Sequence, residues 1–365
     1  MIKKIFFLLA SASFIYGCNT EFSVNGEYVE QPIVHFLLDQ GKEYQFLKLN
    51  KTFLKEGNSL EFAKEPELSY FDNVVATVKE IKNGSTLREW TLEDTVIQNK
   101  KDGVFYGPEQ KLYFFKPAAL PSNIPTSIPK YLDEDAIYRL NINIDNGNHI
   151  VEGQTELVKG VSINSPLQNS AFNFVKKYGG AKEYASTAIV FSLGNGATFK
   201  TELGFNYREY TASGNTDKTI KYTLGERSNT DLVGSTSSIF AEGEVFYEVL
   251  KNKIQPNSDV TKRTVRGMEI TLTAGSSDLY TYMLTNEPTS SLAQNQPTYS
   301  NVEGALGIFS SRVTVRQYKP YYNNLNNRRS LDVNSTDELC EGPYTAPFKF
   351  CSDIPEDNIR SFSCN

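Results

Sequence analysis

The stretch Tyr138-Arg139-Leu140-Asn141-Ile142-Asn143-Ile144 has the clearest structural pattern in the chain. Its large, mostly apolar side chains alternate with polar ones, which is typical of a strand that buries one face. Asn146-Gly147 comes next, and this pair favours a two-residue hairpin turn because both residues tolerate a positive φ. Residues 150–157 supply the returning strand. The stretch therefore predicts an antiparallel hairpin.

Runs of strand length continue outward toward the N-terminus. They lie at residues 33–38, 44–53, 74–81, 87–97 and 112–115. Asn83-Gly84 is a second hairpin signal. Residues 119–129 contain three prolines and are expected to form a loop. Short strands at regular spacing, without a helical period between them, predict an immunoglobulin-like antiparallel β-sandwich over residues 32–161.

The second half of the chain mixes strand and helix patterns. Residues 162–169, which include Pro166, are interpreted as a linker. Strand patterns follow at residues 188–193, 199–207, 218–224, 268–272 and 302–318. One helical face is shared by Ile239, Gly243, Phe246, Leu250 and Ile254. A second short helix is predicted at residues 277–284. We therefore expect a mainly β chain, with a β-rich α+β domain and one or two short helices at residues 170–335.

The N-terminus has the features of a secretory signal that ends in a lipidation site. Two lysines precede an apolar run at residues 5–14, and Gly17-Cys18 supplies a small residue before the cut and a thiol for the lipid. An ordinary cleaved signal is the alternative, because Tyr16 is bulkier than the usual neighbour of a cut. We predict a signal peptide at residues 1–17, lipidation of Cys18 and a polar spacer at residues 18–31.

Length and charge restrict the domain organisation and the kinds of partner that the chain could have. The 365 residues exceed what one core usually supports, which favours two domains. The formal net charge is -6, and no basic run of the kind that neutralises phosphates is present, so a nucleic-acid partner is not expected. After the signal, no apolar run approaches the roughly 20 residues needed to cross a bilayer. Any contact with a membrane is therefore expected through the lipid on Cys18.

Three further cysteines cluster in the tail at residues 336–365. In an oxidising compartment, Cys340, Cys351 and Cys364 predict one disulfide and one odd thiol, with the pairing left open. A zinc site is the alternative. It is disfavoured because no histidine lies near and no two of these cysteines are closely spaced.

The stretch Tyr299-Ser300-Asn301-Val302-Glu303-Gly304-Ala305-Leu306-Gly307-Ile308-Phe309 resembles the closing signature of a family of Bacteroidota outer-membrane lipoproteins of unknown function. Looser similarity covers residues 268–282 and 138–158, and Ala305 departs from the family's more frequent glycine. The resemblance implies a lipid-anchored envelope protein with an N-terminal immunoglobulin-like sandwich, often encoded with TonB-dependent receptors. It implies no catalytic residues.

The two glycines of this motif also have a physical interpretation. Gly304 and Gly307 predict a bend or a close approach to a neighbouring strand. Core packing is expected from Val302, Leu306, Ile308 and Phe309.

Catalytic and metal-binding patterns are sparse. His35 and His149 are the two histidines, and neither has a second candidate ligand beside it in the sequence. Two acidic groups could serve glycoside hydrolysis, which needs a pair of carboxylates. They are residues 133–135 and the set Glu242, Glu244 and Glu248. Solvated surfaces explain both groups equally well. We expect no metal, no cofactor and no catalytic residue.

Two surface features are more suggestive. Tyr318, Tyr321 and Tyr322 cluster beside Pro320 and are predicted to form an exposed recognition surface, since tyrosine offers a large contact area at low entropic cost. Asp94-Thr95-Val96 resembles an O-glycosylation acceptor of this bacterial lineage, with Thr95 as the modified residue.

These observations favour a noncatalytic lipoprotein of the outer membrane that binds or assists a TonB-dependent β-barrel receptor, with a small-molecule or glycan ligand of unknown identity. The residues after Cys18 are compatible with either the periplasmic or the extracellular face. The alternatives are a surface glycan hydrolase with paired carboxylates, and a structural or adhesive surface protein.

Overall fold

A computed structural model describes residues 30–53, 59–98, 106–107, 109–121, 129–228, 234–287, 298–323 and 328–364. Within these ranges the chain is mainly β, which confirms the predicted fold class. Its helices are α1 (Gly243–Lys253), α2 (Ser277–Asn286) and α3 (Val333–Glu341), together with a single helical turn at Ser59–Phe62. No helix of the described part is long and apolar enough to cross a bilayer.

The strands fall into two groups along the chain. The first group is β1 (Pro32–Leu38), β2 (Gln45–Lys51), β3 (Val74–Lys82), β4 (Ser85–Thr91), β5 (Glu93–Ile97), β6 (Gln110–Phe115), β7 (Ile137–Ile144) and β8 (His149–Glu156). The second group is β9 (Ser162–Ser165), β10 (Val175–Tyr178), β11 (Ala181–Tyr184), β12 (Ser186–Ser192), β13 (Thr198–Thr211), β14 (Gly214–Ser228), β15 (Thr236–Glu242), β16 (Val260–Gly275), β17 (Val302–Glu303), β18 (Leu306–Pro320), β19 (Tyr322–Asn323) and β20 (Arg328–Arg329).

One large sheet connects the two halves of the chain. Its eight strands have the order β14-β13-β16-β18-β1-β2-β6-β5. In its middle, β1 pairs in parallel with β18, from Ile33 opposite Leu306 to Leu38 opposite Ser311. The other strand pairs described within the sheet are antiparallel. The sheet of the N-terminal sandwich is therefore completed by a strand from the far end of the sequence.

A five-stranded sheet, β17-β8-β7-β3-β4, packs on this large sheet to form the sandwich. The alternating side chains of β7 supply its centre, as predicted, since Tyr138, Leu140 and Ile142 are each at most 2% exposed. Val34 and Phe36 of β1 face them from the large sheet. Burying each such side chain stabilises the fold by about 1.5–3 kcal/mol. The interleaved apolar faces make this the first core.

Residues 87–97, predicted as one strand, form two strands in different sheets. β4 pairs with β3 in the five-stranded sheet, and β5 pairs with β6 in the large one. The buried Leu92 lies between them. The chain therefore crosses from one layer of the sandwich to the other at this point.

Both predicted hairpin turns form, with different geometry. Asn83 and Gly84 have φ of 51° and 79° and make the expected two-residue turn. At the other turn Asp145, Asn146 and Gly147 all have positive φ, so the loop is longer than the predicted Asn-Gly pair.

The second core lies between β13 and β16 of the large sheet, helix α1 and the C-terminal segment. Its members include Phe174, Phe205, Phe246, Met268 and Phe350. Helix α1 begins at Gly243, later than the sequence pattern indicated, because Ile239 lies on β15 opposite Ile189 of β12. The apolar residues from 239 onward therefore belong first to a strand and then to a helix.

Regular structure is present in both the interpreted linker at residues 162–169 and the tail at residues 336–365. The interpreted linker contains β9, which pairs with β12. The tail contains part of α3, and its Leu339, Phe348, Ile354 and Phe362 join the second core. Cys351 and Cys364 form the disulfide, with their Cα atoms 4.9 Å apart, and Cys340 is buried and free. Apolar residues spaced irregularly along a polar tail gave no periodic signal, although they pack together.

The closing motif is built around the parallel strand pair. The Asn301 side-chain amide donates to the Phe309 carbonyl at 2.8 Å and accepts from the Phe309 amide at 2.9 Å. Gly307 has φ of 106°, and a Cβ there would collide with the Val34 carbonyl oxygen of β1. Gly304 approaches the Ile150 carbonyl of β8 in the same way. The predicted close approach is confirmed, whereas Leu306, predicted in the core, is 36% exposed.

Gly307→Ala should destabilise the protein by at least about 3 kcal/mol, because it adds a backbone clash to left-handed strain. Gly84→Ala is the matched control, since Gly84 also has positive φ but has nothing within 4 Å of the added Cβ. The control should lose roughly 1–2 kcal/mol. Urea unfolding of both variants measures the difference. Equal losses would show that the β1–β18 approach does not require glycine.

Candidate functional site

The predicted tyrosine surface is wrong as a continuous patch. Tyr321 is 4% exposed, and its hydroxyl lies 3.1 Å from the Ser352 hydroxyl in the second core. Tyr318 is exposed and donates to the Arg266 carbonyl at 2.8 Å. Tyr322 is partly buried and donates to Glu356. Because neighbouring residues of an extended chain point in opposite directions, the three rings cannot share one surface.

The other predicted site residues lie apart from one another. Cys18, with the signal and spacer, lies outside the described residues. Thr95 is partly buried on the edge strand β5, flanked by the exposed Asp94 and Val96. A residue on an edge strand keeps one side of its backbone unpaired with the sheet, so Thr95 remains a candidate for modification.

The acidic groups are engaged in pairing. Asp133 accepts from Lys82 at 2.8 Å, and Asp135 accepts from Lys159 at 2.7 Å. The Lys159 ammonium lowers the pKa of Asp135. On helix α1, Glu244 accepts from the Tyr344 hydroxyl at 2.9 Å. These contacts suit structural roles for Asp133, Asp135 and Glu244, each of which has its own partner.

A cluster that the sequence did not single out lies on the outer face of the large sheet. Tyr44, Phe46 and Phe114 form what we call the aromatic triad. Phe46 and Phe114 are direct partners across β2 and β6. The Tyr44 and Phe46 rings stack with centroids 6.2 Å apart and 20° between their planes, and Phe114 lies 5.9 Å and 6.1 Å from these two rings. Tyr44 and Phe46 are 41% and 43% exposed. Exposed apolar surface of this kind marks interaction sites.

A cleft of about 390 Å³ opens beside the triad. It is lined by His35, Leu37, Asp39, Lys42, Tyr44, Gln45, Phe46 and Arg312, and we call it the Asp39 cleft. Val34, Phe36 and Leu38 of β1 point into the first core, so the alternate residues His35 and Leu37 face outward. The presence of His35 and Leu37 in the cleft thus follows from the register of one strand.

Asp39 is a buried carboxylate with one unpaired oxygen. Its side chain is 3% exposed. Oδ1 accepts from the Gly41 amide at 3.0 Å, while Oδ2 has no partner among the described residues. Burial raises the pKa of Asp39, and this effect is only partly offset by the Gly41 amide and by the cations Arg312, Lys42 and Arg316. Buried polar atoms are normally satisfied, so the unpaired Oδ2 distinguishes Asp39 from the paired carboxylates elsewhere in the described chain.

His35 adds a second unsatisfied atom to the cleft. Its Nε2 lies 2.8 Å from the Tyr282 hydroxyl of helix α2, whereas the buried Nδ1 has no partner in the described part of the chain. Burial, and then the Lys48 ammonium, lower the pKa of His35, so the ring is neutral at pH 7. A neutral ring has one donor and one acceptor nitrogen, and the tautomer decides whether the unpartnered Nδ1 is the donor or the acceptor.

A larger groove, of about 740 Å³, lies on the outer face of the five-stranded sheet. Its side chains pair with one another: Lys79 with Glu89 at 3.4 Å, Asn141 with Glu152 at 3.1 Å and Arg139 with Gln154 at 3.2 Å. Because those groups already have partners, the smaller Asp39 cleft is the stronger candidate for a ligand site.

A signal for the triad exists in the sequence. Phe46 and Lys48 share one face of β2, and Tyr44, which directly precedes the strand, continues their alternation, while Leu47 and Leu49 occupy the buried face. Two aromatic residues on the same face as a lysine indicate a solvent-facing aromatic pair. Phe114 and Asp39 could not be added from sequence, because strand pairing brings them to the site.

Comparisons with known proteins give little similarity. No family model matches the sequence, and no curated protein matches it. Among solved structures, a match is found to the C-terminal globular domain of the oligosaccharyltransferase from Pyrococcus abyssi, with 12% identity and a TM-score of 0.24. The match covers 68% of this chain and 48% of that one, so it spans about half the length of that structure. Similarity at this level supports no inference about function.

Asp39→Asn should change how stability depends on pH. A raised folded-state pKa means that the carboxyl contributes stability below its unfolded pKa of about 3.9, which is lost as pH rises through the folded pKa. Asparagine removes this loss. The free energy of unfolding of the variant minus that of wild type should therefore be larger at pH 7 than at pH 3.5, so the variant gains stability relative to wild type as pH rises. Urea titrations at both pH values test this, and a pH-independent difference would contradict it.

Proposed function

We propose that this protein is a noncatalytic binding lipoprotein of the outer membrane, anchored through Cys18 and working beside a TonB-dependent β-barrel receptor. The observation that supports binding is the Asp39 cleft, where exposed aromatic rings adjoin two unsatisfied buried polar atoms. Ligand sites typically combine apolar walls with a few placed polar groups. The lipid anchor is inferred from the N-terminal sequence pattern, and the receptor partner is inferred from the family resemblance of residues 299–309.

Binding is favoured over glycan hydrolysis by the composition of the cleft. Asp39 is the one carboxylate among the described residues that line it. Hydrolysis of a glycosidic bond commonly uses two carboxyl groups that flank the bond. In the two acidic groups, Asp133, Asp135 and Glu244 have cationic or hydroxyl partners, and neither group is among the described residues that line this cleft.

The anchor is tested by Cys18→Ser in the full chain expressed in its native envelope. The variant should move from the membrane fraction to the soluble fraction, because the serine hydroxyl cannot take the thioether-linked lipid. Ser13→Ala, within the apolar run, is the matched control and should stay with the membrane. Fractionation followed by immunoblotting measures both. Retention of Cys18→Ser in membranes would contradict the anchor.

The receptor partnership is tested by affinity capture of the mature lipoprotein from solubilised outer membranes. A β-barrel receptor should copurify with wild type and be identified by mass spectrometry. An unrelated lipoprotein with the same tag is the control. Capture of a monodisperse protein without any envelope partner would overturn the accessory role.

A further inference from the structure

We propose that the Asp39 cleft binds a saccharide that bears a carboxylate, such as a uronic acid, with one sugar ring stacked on the aromatic triad. This inference rests on the proposed binding function and names the class of its ligand. Three features of the site support it: the exposed aromatic rings, the buried carboxylate oxygen without a partner and the cations at its rim.

The aromatic triad supplies a platform for a ring. The Tyr44 and Phe46 rings are stacked with 20° between their planes, and Phe114, tilted by 50° and 41° to these two rings, enlarges the exposed aromatic surface across the strand pair. A pyranose has one face made largely of C–H groups, which packs on aromatic rings and removes exposed apolar surface from water. The volume of about 390 Å³ falls within the range of small-ligand pockets and suits one or two sugar rings.

The inner end of the cleft selects hydroxyl groups. Asp39 Oδ2 can accept a hydrogen bond and cannot donate one while it is ionised. His35 Nδ1 is the second polar atom without a partner in the described chain. Both atoms are buried, so a sugar diol would satisfy them only after a rotation of the two side chains toward the cleft. A charge-assisted bond to the carboxylate is stronger than a neutral one. A wholly apolar ligand would leave both atoms unsatisfied, at a cost of about 1–3 kcal/mol each.

The rim selects against cations and in favour of anions. Lys42 and Arg312 line the cleft, and Lys48 is the direct strand partner of His35. An aromatic cage for a quaternary ammonium is disfavoured for the same reason, and because the Lys116 ammonium already lies 5.0 Å from the Tyr44 ring centroid. Arginine binds carboxylates in a paired geometry, so Arg312 is the group we assign to the sugar carboxylate.

The test uses the mature full-length lipoprotein in a detergent without a sugar headgroup. Isothermal titration compares a glucuronic-acid disaccharide with cellobiose, its neutral counterpart. Wild type should bind both and should prefer the acidic sugar by about tenfold. Arg312→Gln should abolish this preference while still binding cellobiose.

Two variants locate the site and one serves as control. Phe46→Ala should weaken the binding of both sugars at least tenfold, because the variant loses the ring on which the sugar stacks. Asp39→Asn should do the same, because the amide replaces the free acceptor with a donor. Phe240→Ala removes a ring that is 50% exposed on β15, away from the cleft, and should bind as wild type does. Far-UV circular dichroism and urea midpoints show that each variant is folded.

The outcomes separate the inference from the proposed function. Absence of binding to either sugar by folded wild type overturns the saccharide assignment, while Cys18-dependent anchoring and receptor capture would still support the function. Sugar binding unchanged in Phe46→Ala and Asp39→Asn overturns the location of the site. A preference for cellobiose overturns the proposal that the ligand bears a carboxylate. A protein that binds the sugar but is neither membrane-anchored nor receptor-associated overturns the proposed function and leaves the ligand assignment standing.

Discussion

The parallel pairing of β1 with β18 is the constraint on which the rest of the structure depends. It places a strand from residues 306–311 beside one from residues 33–38 and so makes a single sheet out of both halves of the chain. The first core draws on both sides of this pairing, because Phe36 and Phe309 lie with ring centroids 5.2 Å apart. The backbones of β1 and β18 can approach closely only because position 307 has no side chain, since a Cβ there would collide with the Val34 carbonyl oxygen.

This pairing also positions the candidate site. It fixes which residues of β1 face the first core and which face outward, and a shift of one residue would exchange the two sets. It brings Arg312 of β18 to the same cleft as Asp39, which follows the end of β1. The site therefore depends on the register of strands that are distant in sequence.

The local elements of this fold can be predicted from the sequence better than their assembly can. The alternation at residues 138–144 and the Asn83-Gly84 turn were readable because a strand face and a positive φ are local requirements. The β1–β18 pair was not readable, since both are short apolar runs with many possible partners. The place of the tail in the second core cannot be predicted from sequence, because Phe348, Phe350 and Phe362 follow no period and only tertiary packing brings them together. At the site, Tyr321 was assigned to a surface by its neighbours, although its side chain points into the core.

The β1–β18 pair has a further consequence for the timing of folding. During synthesis, β1 emerges long before β18, so the first sandwich cannot complete its sheet until most of the chain exists. Long-range pairings of this kind form slowly because the loop entropy must be lost before the contacts are gained. A chain that crosses a membrane unfolded benefits from such a delay, since it stays threadable until the last segment has passed. If the chain is exported as the proposed function requires, the pairing that unites its two halves would also keep it unfolded until the last segment has passed.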